Sequence, residues 1–193
     1  MNSPDIRLCV FLGNPGRQYR DTRHNAGYML AAHLPDLAHA TWQSKFHADY
    51  LLVRQSRSGV PYTALRPALF MNRSGVSVSE AAAFFKVAAE EILVAHDDVE
   101  LPFGTIGFRR GGGMAGHKGL RDIAQRIGSQ DFARLRIGIS RPKSGPVHSH
   151  VLGRFNSHEL AACGDVFRAA EGLFDDILKR QAKAPVEIRV FDS

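Results

Sequence analysis

Short apolar runs of strand length alternate with helix-like segments along this chain, and this alternation constrains the fold more than any other feature. Residues 6–12 form the first run, and Gly13, Asn14, Pro15 and Gly16 then force a turn. Further strands are predicted at residues 50–53, 62–65, 92–95, 106–109 and 133–139, and helices at residues 25–34, 74–87, 120–127 and from Asn156 or Ser157 to about residue 179. The pattern predicts an α/β fold with a mixed, largely parallel twisted sheet flanked by helices, in a single domain spanning residues 1–193.

Local signals refine some of these boundaries. The helix near residue 74 has two candidate starts, because Ser77 and Glu80 fit a capping box while Asn72 lies a turn earlier. Gly128 suits a left-handed cap that closes the helix before it. Residues 140–150 contain two prolines and a glycine, which predict a loop.

Charge and cysteine usage indicate the setting. The formal net charge of +6 is compatible with an RNA partner, but charge alone leaves nucleic-acid binding open. Cys9 and Cys163 do not form a CxxC pair, so we expect reduced, buried thiols and a cytoplasmic protein. The apolar run at residues 8–12 is far too short to cross a bilayer, and we expect no membrane partner.

Five polar residues fall where an α/β sheet commonly forms a ligand site. Asn14 and Asp97 follow apolar strands, whereas His24, Asn72 and His117 lie close to helix starts. Ligands bind outside the carboxyl ends of the strands in open α/β sheets, so these side chains can converge on one crevice. Structural alternatives stay open, since Asn14 also suits an Asx turn and Asn72 also suits a helix cap.

A histidine paired with a carboxylate is the natural general base near neutral pH. Asp97 can orient His24 in this way, or it can be a solvated loop acid. His96, Asp98 and Glu100 beside it also permit a metal site. Hard cations need several converging oxygen ligands, however, and a single acidic loop is weak evidence for them. We therefore expect no metal.

The glycine-rich segment at residues 111–116 matches the GxGxxG outline of a dinucleotide-binding loop. Two details oppose that interpretation: Asp131 precedes the next strand instead of ending it, and the strand before the glycines ends in Arg109 and Arg110. His117 follows the last glycine where a Walker loop has lysine. Flexible glycines beside cations instead suit a close approach to phosphates.

Five sequence blocks occur together in the order and spacing of one enzyme family. They are LGNPG with Tyr19 and TRHNAG in residues 12–27, FMNRSG in residues 70–75, VAHDD with LP and a glycine in residues 94–104, GGGMAGHKGLRD in residues 111–122 and RLRIG in residues 134–138. The chain therefore resembles the bacterial-type peptidyl-tRNA hydrolases over nearly its whole length. Residues 35–61 and the tail after about residue 181 are the least informative parts.

The resemblance implies hydrolysis of the ester bond between peptide and tRNA in peptidyl-tRNA, which releases free tRNA without a covalent intermediate. His24 would activate water as the general base, Asp97 would orient its imidazole, and Asn72 would hold the developing oxyanion. No GxSxG nucleophile motif is present, and none is required for an ester substrate. The resemblance implies neither a metal nor an organic cofactor. A monomer is expected, since the chain has no heptad pattern.

The same resemblance assigns the substrate contacts. Asn14 would bind the peptide backbone, and Met71 and His117 would line the crevice for the peptide and the 3′ end of the tRNA. Arg109 and Arg136 would clamp the terminal phosphate of the tRNA, because guanidinium groups suit phosphate oxygens. The expected substrate-binding residues are Asn14, Tyr19, Met71, Arg109, His117, Lys118 and Arg136.

Lys118 departs from the family pattern, which commonly has Asn at this place. A lysine donates as a flexible cation and lacks the acceptor of an amide, so the role of that Asn does not carry over. Two other hypotheses remain. A non-catalytic RNA-binding relative is disfavoured by the presence of His24, Asp97 and Asn72, and a dinucleotide-dependent oxidoreductase rests on residues 111–116 alone.

Overall fold

Within residues 4–191, which it describes, the computed structural model of the chain contains eight strands and six α-helices. The strands are β1 (Leu8–Phe11), β2 (Gln43–Lys45), β3 (Ala48–Val53), β4 (Tyr62–Pro67), β5 (Ile92–Asp98), β6 (Thr105–Arg110), β7 (Ala133–Gly138) and β8 (Val186–Arg189). The α-helices are α1 (Ala26–His33), α2 (Pro35–Ala38), α3 (Ser74–Phe85), α4 (Lys118–Ile127), α5 (Val147–Leu152) and α6 (Ser157–Leu178). Short 3₁₀ turns lie at Arg17–Tyr19, Arg23–Asn25, Met71–Arg73 and Ala89–Glu91.

All of the described strands join one sheet in the order β2-β3-β4-β1-β5-β7-β6-β8. The central strands β4, β1, β5 and β7 are parallel, whereas the pairings on either side of them are antiparallel. The predicted α/β fold with a mixed sheet flanked by helices is therefore confirmed. β1 and β5 are neighbours at the centre, so the turn after β1 and the end of β5 meet at one edge of the sheet.

Helices cover both faces of the sheet, and alternate residues of β1 face the two resulting cores. Phe11 faces the core closed by α1 and α6, where its ring centroid lies 5.9 Å from that of Phe174. Val10 faces the second core, to which Val78 of α3 and Ile123 of α4 contribute. Because β1 is buried on both faces, its sequence is a continuous apolar run and does not alternate with polar residues.

Several predicted helix ends are confirmed. Gly128 ends α4 with a φ of 72°, in the left-handed region. The side chain of Asn156 caps α6 and accepts the backbone N–H of Glu159 at 2.9 Å. Cys9 and Cys163 are buried free thiols, as expected. Among residues 4–191, the helices are all too short or too polar to cross a bilayer.

Of the two candidate starts for α3, the earlier one near Asn72 is confirmed, because this helix begins at Ser74, and the capping box at Ser77 and Glu80 is wrong. The hydroxyl of Ser77 donates to the carbonyl of His47 at 2.7 Å, and the carboxylate of Glu80 lies 3.1 Å from Nδ1 of the same histidine. Both side chains thus bind the turn between β2 and β3. The sequence spacing was correct for a cap, but a tertiary contact uses the same groups.

The loop predicted at residues 140–150 is wrong at its end, where α5 begins at Val147. Pro146 occupies the N-cap of α5, where the helix needs no backbone N–H from it. Val151 packs into the core of α1 and α6, and the Nε2–H of His150 donates to the carbonyl of Ile139 at 3.0 Å. A helix this short has too few turns to show periodicity in the sequence.

β2 and β8 are strands where none was predicted, and β5 is longer than predicted. β2 lies in the poorly informative residues 35–61 and pairs with β3. β5 continues through His96, Asp97 and Asp98 because these residues pair with β7, with His96 opposite Arg136. The polar residues expected after the strand therefore lie within it. β8 lies in the poorly informative tail and pairs with the outer edge of β6.

Candidate active site

Asp97 is the centre of a hydrogen-bonded cluster at the carboxyl end of β5. Nδ1 of His24 lies 2.9 Å from Oδ1 of Asp97, and Nε2 of His117 lies 3.1 Å from the same oxygen. The side chain of Asp97 is only 2% exposed. A buried carboxylate requires partners to be stable, and the two imidazoles provide them.

Close packing of α1 against the sheet brings His24 to Asp97. His24 belongs to the 3₁₀ turn Arg23–Asn25 that directly precedes α1. A Cβ atom at Gly27 would lie 2.5 Å from the carbonyl oxygens of Leu12 and Ala95, so only glycine permits this approach. The start of α1 therefore meets the ends of β1 and β5, where Asp97 lies.

The first turn of α4 fixes His117. Nδ1 of His117 accepts the backbone N–H of Leu120 at 3.3 Å, as an N-cap does. Because this nitrogen accepts, Nε2 carries the proton and donates it to Asp97. Gly119 lets α4 approach Met71, whose Sδ lies 2.6 Å from the position that a Cβ atom would take.

The cluster keeps Asp97 ionised and defines the tautomer of His24. Burial raises the pKa of Asp97, but attraction to His24 and His117 and their hydrogen bonds outweigh that effect and hold the pKa well below its usual range. The ionised carboxylate accepts Nδ1–H of His24, so Nε2 carries the lone pair when this ring is neutral. This arrangement is suitable for a general base.

A third histidine, His96, supports the cluster as a neutral group. Its Nδ1–H donates to the carbonyl of Asp97 at 2.7 Å, and its ring centroid lies 5.1 Å from that of His117. Burial, followed by the proximity of His117, lowers the pKa of His96 to about 3. Nε2 of His96 is buried without a partner among the described residues. His96 is therefore uncharged at neutral pH.

His24, Asp97 and His117 are close enough to be considered as metal ligands, because one atom of each lies within 4.8 Å of the others. The lone pair of neutral His117 already accepts a backbone N–H of α4, and its other nitrogen carries a proton. Both nitrogens of His117 and Nδ1 of His24 are therefore used by hydrogen bonds, whereas Nε2 of His24 keeps its lone pair. Asp98, considered above as a ligand, binds Arg136 instead at 2.7 Å. The donor set fits a hydrogen-bonded base better than a metal centre.

Asn14 is held by a network that joins three segments. Its Oδ1 accepts the backbone N–H of Met71 at 2.8 Å. The side chain of Asn25 accepts the backbone N–H of Asn14 at 2.8 Å and donates to its carbonyl at 3.0 Å. A contact to Met71 is not an Asx turn, so that alternative is wrong. Because its oxygen is engaged, Asn14 has the amide Nδ2 left to donate to a ligand.

Asn72 is exposed and lies in the 3₁₀ turn Met71–Arg73, which packs against α4. No side chain caps α3, so the helix-cap alternative for Asn72 is wrong. Tyr19 stands nearby with its ring edge-on to Phe70, at 6.1 Å between centroids. Phe70 is 54% exposed, so an accessible aromatic pair adjoins this turn.

A cavity of about 260 Å³ connects the histidine cluster with a group of cations. The cations that line it are Arg109, Lys118, Arg134 and Arg136. Arg109 and Lys118 are exposed. The cavity is therefore basic and continuous with His24 and His117. Of the other predicted site residues, Asn14, Tyr19, Met71 and Asn72 do not line it.

Two of these arginines are engaged within the fold. Nε of Arg136 donates to Asp98 at 2.7 Å, and Nη1 donates to Glu187 at 2.9 Å. Arg134 is buried and donates to two carbonyls of the glycine-rich segment. Arg134 thus supports the loop that leads to His117. β7 alternates, so these two arginines share one face of the sheet.

The topology excludes the dinucleotide interpretation of residues 111–116. A dinucleotide loop joins a strand to a helix that leads to a parallel strand. Here β6 and β7, on either side of the loop and α4, are antiparallel. Positive φ angles at Gly111, Gly112 and Gly116 let the loop turn back over Arg134.

Sequence reasoning did not assign several residues of the site the roles that their contacts indicate. Asn25 and His96 are neighbours of predicted residues in their motifs, but their partners lie far away in the sequence. Arg134 was detectable, because strand alternation places it beside Arg136. Glu187 lies in the tail, where no sequence signal was available.

Comparison with known proteins gives a consistent result. A family model described as peptidyl-tRNA hydrolase matches residues 8–189. A peptidyl-tRNA hydrolase of Oleidesulfovibrio alaskensis is 42% identical over 175 residues, covering 86% of this chain and 87% of the relative. One of Treponema pallidum is 40% identical over 186 residues, covering 95% and 92% of the two chains. The crystal structure of peptidyl-tRNA hydrolase from Acinetobacter baumannii superposes with a TM-score of 0.82 at 38% identity, covering 94% of this chain and 91% of the other.

Proposed function

The chain belongs to the peptidyl-tRNA hydrolase family, and from that premise we propose that it cleaves the ester bond between peptide and tRNA with a water molecule activated by His24. The observation that carries the proposal is the hydrogen bond between Nδ1 of His24 and Asp97. This contact leaves the lone pair of neutral His24 on Nε2, and His24 lines the cavity. A base in this state can take a proton from water at neutral pH.

The proposed reaction proceeds in two steps. The water oxygen attacks the ester carbonyl carbon while its proton passes to Nε2 of His24. The bond from that carbon to the tRNA ribose oxygen then breaks, and the leaving oxygen takes the proton from His24. The products are a tRNA with a free 3′ hydroxyl and a peptide carboxylic acid, which then loses its proton to water and becomes a carboxylate. An amide of the exposed Asn72 would donate to the oxyanion that forms between the steps.

Asp97 has a positioning and electrostatic role in this scheme. Its ionised carboxylate fixes the ring of His24 and stabilises the imidazolium that forms when the proton arrives. His117 donates to the same carboxylate and so fixes the orientation of Asp97. His117, the N-cap of α4, would therefore act on the base through Asp97.

Attack by water is supported by the state of the candidate nucleophiles. Cys9 and Cys163 are buried in the core of α1 and α6. Burial, with the nearby Glu159 as a second cause, raises the pKa of Cys163 to about 11, so its thiolate is scarce. The hydroxyl of Ser74 donates to the carbonyl of Met71. None of these groups is hydrogen-bonded to His24.

The substrate contacts are proposed on the same basis. Nδ2 of Asn14 would donate to the peptide backbone, since its oxygen is held by Met71. Tyr19 and Met71 would contact the peptide beside it, and His117 would line the path of the tRNA 3′ end. Arg109 and Arg136 would clamp the terminal phosphate, which lies at the 5′ end because the 3′ end carries the peptide.

Peptide release from an N-blocked aminoacyl-tRNA tests this proposal. The intact chain should release the blocked amino acid, and His24→Ala should not, while its affinity for tRNA survives. His158→Ala is the matched control, because His158 is exposed on α6 and does not line the cavity. Release by His24→Ala at the rate of the control would contradict the base assignment. Acid-quenched wild-type protein should carry no labelled amino acid, and a covalent adduct would contradict direct attack by water.

A further inference from the structure

A row of three residues crosses the outer strands of the sheet. Gly107 of β6 is opposite Arg136 of β7 on one side and opposite Glu187 of β8 on the other. Nη1 of Arg136 nevertheless lies 2.9 Å from Oε1 of Glu187. The two charged side chains therefore meet across the intervening strand.

Gly107 leaves room for this contact. A Cβ atom at Gly107 would lie 3.3 Å from the carbonyl oxygen of Val186, 3.4 Å from a methyl of Leu101 and 3.5 Å from Cγ of Glu187, so a larger side chain would compete for the space that Glu187 occupies. Without one, the carboxylate of Glu187 reaches over β6 to the guanidinium group. The tail of the chain thus places an acid on an arginine of the basic cavity.

The two acids that bind Arg136 are unequal. Asp98 is buried, with an 8% exposed side chain, and holds Nε at 2.7 Å. The side chain of Glu187 is 55% exposed and holds Nη1. The side chain of Arg136 is 12% exposed, so this ion pair is open to water mainly at Glu187, where water competes for the carboxylate and weakens the pair. Asp98 therefore fixes the guanidinium in place, while the outer edge that Glu187 covers can exchange partners.

We propose that Glu187 competes with the 5′-terminal phosphate of tRNA for Arg136, and that it sets the affinity of the enzyme for this end of the substrate. The inference rests on the proposed function, in which Arg136 is part of the phosphate clamp. A terminal phosphate carries about 1.5 to 2 negative charges and three acceptor oxygens, so it binds a guanidinium better than a single carboxylate does. Binding of tRNA then displaces Glu187, and product release lets it return.

Binding of uncharged tRNA, measured by fluorescence anisotropy at one fixed salt concentration, tests the proposal. Each protein is titrated with tRNA that carries its 5′-phosphate and with the same tRNA after dephosphorylation. Glu187→Gln should bind the phosphorylated tRNA about two- to fivefold more tightly than wild type, the scale of one exposed ion pair. Its affinity for dephosphorylated tRNA should not change.

The dephosphorylated tRNA separates competition at Arg136 from general repulsion between acids and RNA. A long-range effect of the lost charge would increase the affinity for both tRNAs equally, and that result would overturn the proposal. Glu90→Gln is the matched control, because it removes the same charge from an exposed residue that does not line the cavity. Glu90→Gln should bind both tRNAs as wild type does.

Arg136→Lys distinguishes failure of this inference from failure of the clamp. The lysine keeps a cation for the buried Asp98 but lacks the second donor edge of a guanidinium. If Arg136→Lys weakens binding only of the phosphorylated tRNA, the clamp holds, and adding Glu187→Gln to it should then have no further effect. A normal phosphate preference in Arg136→Lys would overturn the clamp and the inference together. If Arg136→Lys confirms the clamp but Glu187→Gln leaves the affinity for both tRNAs unchanged, the inference alone is overturned.

Discussion

Nδ1 of His24 and Oδ1 of Asp97 lie 2.9 Å apart, and the side chain of Asp97 is almost fully shielded from water. The hydrogen bond therefore acts in a medium of low polarity, where it is stronger than at the surface. It fixes one tautomer of His24 and directs the lone pair of Nε2 away from Asp97. The direction of this lone pair is what the proposed chemistry requires.

Replacing Asp97 with Asn should therefore impair chemistry more than binding. The amide keeps the size of the carboxylate, but it neither stabilises an imidazolium nor enforces the tautomer of His24. We expect kcat to fall by about 100- to 10,000-fold, the range seen when a general base loses its function. Release of an N-blocked amino acid gives kcat, and anisotropy gives the tRNA affinity, which should be nearly unchanged. A loss of affinity with an unchanged kcat would show that Asp97 serves binding.

Asn72→Ala should show whether the side-chain amide of Asn72 contributes to catalysis or to protein stability. The side chain is exposed and α3 begins without a side-chain cap, so thermal unfolding should be unchanged. Loss of an oxyanion donor should lower kcat by about 100- to 1,000-fold. A helix cap, in contrast, would cost about 1 kcal/mol of stability on removal. Unfolding in denaturant and steady-state kinetics on the same variant therefore distinguish the two roles.

The fold was largely predictable because its signals are local. The apolar runs of β1 and β5 are buried on both faces, and the left-handed Gly128 ends α4 as its position indicated. Prediction failed where a tertiary contact decided the structure. Ser77 fitted a cap by spacing, but its hydroxyl binds the carbonyl of His47, which lies 30 residues away.

Some residues of the candidate site were predictable from the sequence, but their contacts were not. His24 and Asp97 were identified from their motifs, and the structure brings them into contact. The hydrogen bond between the backbone of Asn14 and the side chain of Asn25 depends on how closely α1 approaches the sheet, which cannot be read from spacing along the chain. Glu187 was inaccessible to prediction because its role depends on the register of β8 against β6.

The low pKa of His96 predicts that protein stability falls in mild acid. The folded state lowers this pKa to about 3, whereas an unfolded chain has a histidine pKa of about 6.5. Below about pH 6.5 the unfolded state therefore binds a proton that the folded state does not bind, and the free energy of unfolding decreases as pH falls. Between about pH 7 and pH 5, the titration of this group should lower the free energy of unfolding by about 2 kcal/mol.

His96→Gln should remove that part of the pH dependence. Denaturant unfolding of both proteins at the two pH values gives the difference directly, since the other histidines are common to both. The depressed pKa of Asp97 affects stability in a different pH range, because its stabilising effect is present above about pH 4 and is lost only below that pH. An equal loss of stability in both proteins would show that His96 does not titrate as its burial indicates.

Lys118→Asn should reduce the salt dependence of tRNA binding. Lys118 is exposed in the first turn of α4 at the wall of the basic cavity, so it is free to contact an RNA phosphate. Each lost phosphate contact should reduce the slope of log affinity against log salt by about 0.7 to 0.9. Titration with tRNA at several salt concentrations measures this slope, and short ester mimics without phosphates should be hydrolysed as before.

The same substitution should stabilise the fold slightly, and this second effect supports the assignment. A lysine in the first turn of a helix is repelled by the positive end of the helix dipole, at a cost of about 0.3 to 1 kcal/mol. Lys118 therefore weakens α4, and a gain in RNA binding is a physical reason for a cation there. If Lys118→Asn raises the unfolding midpoint while the salt slope stays as in wild type, Lys118 does not contact a phosphate and the basic clamp consists of the arginines alone.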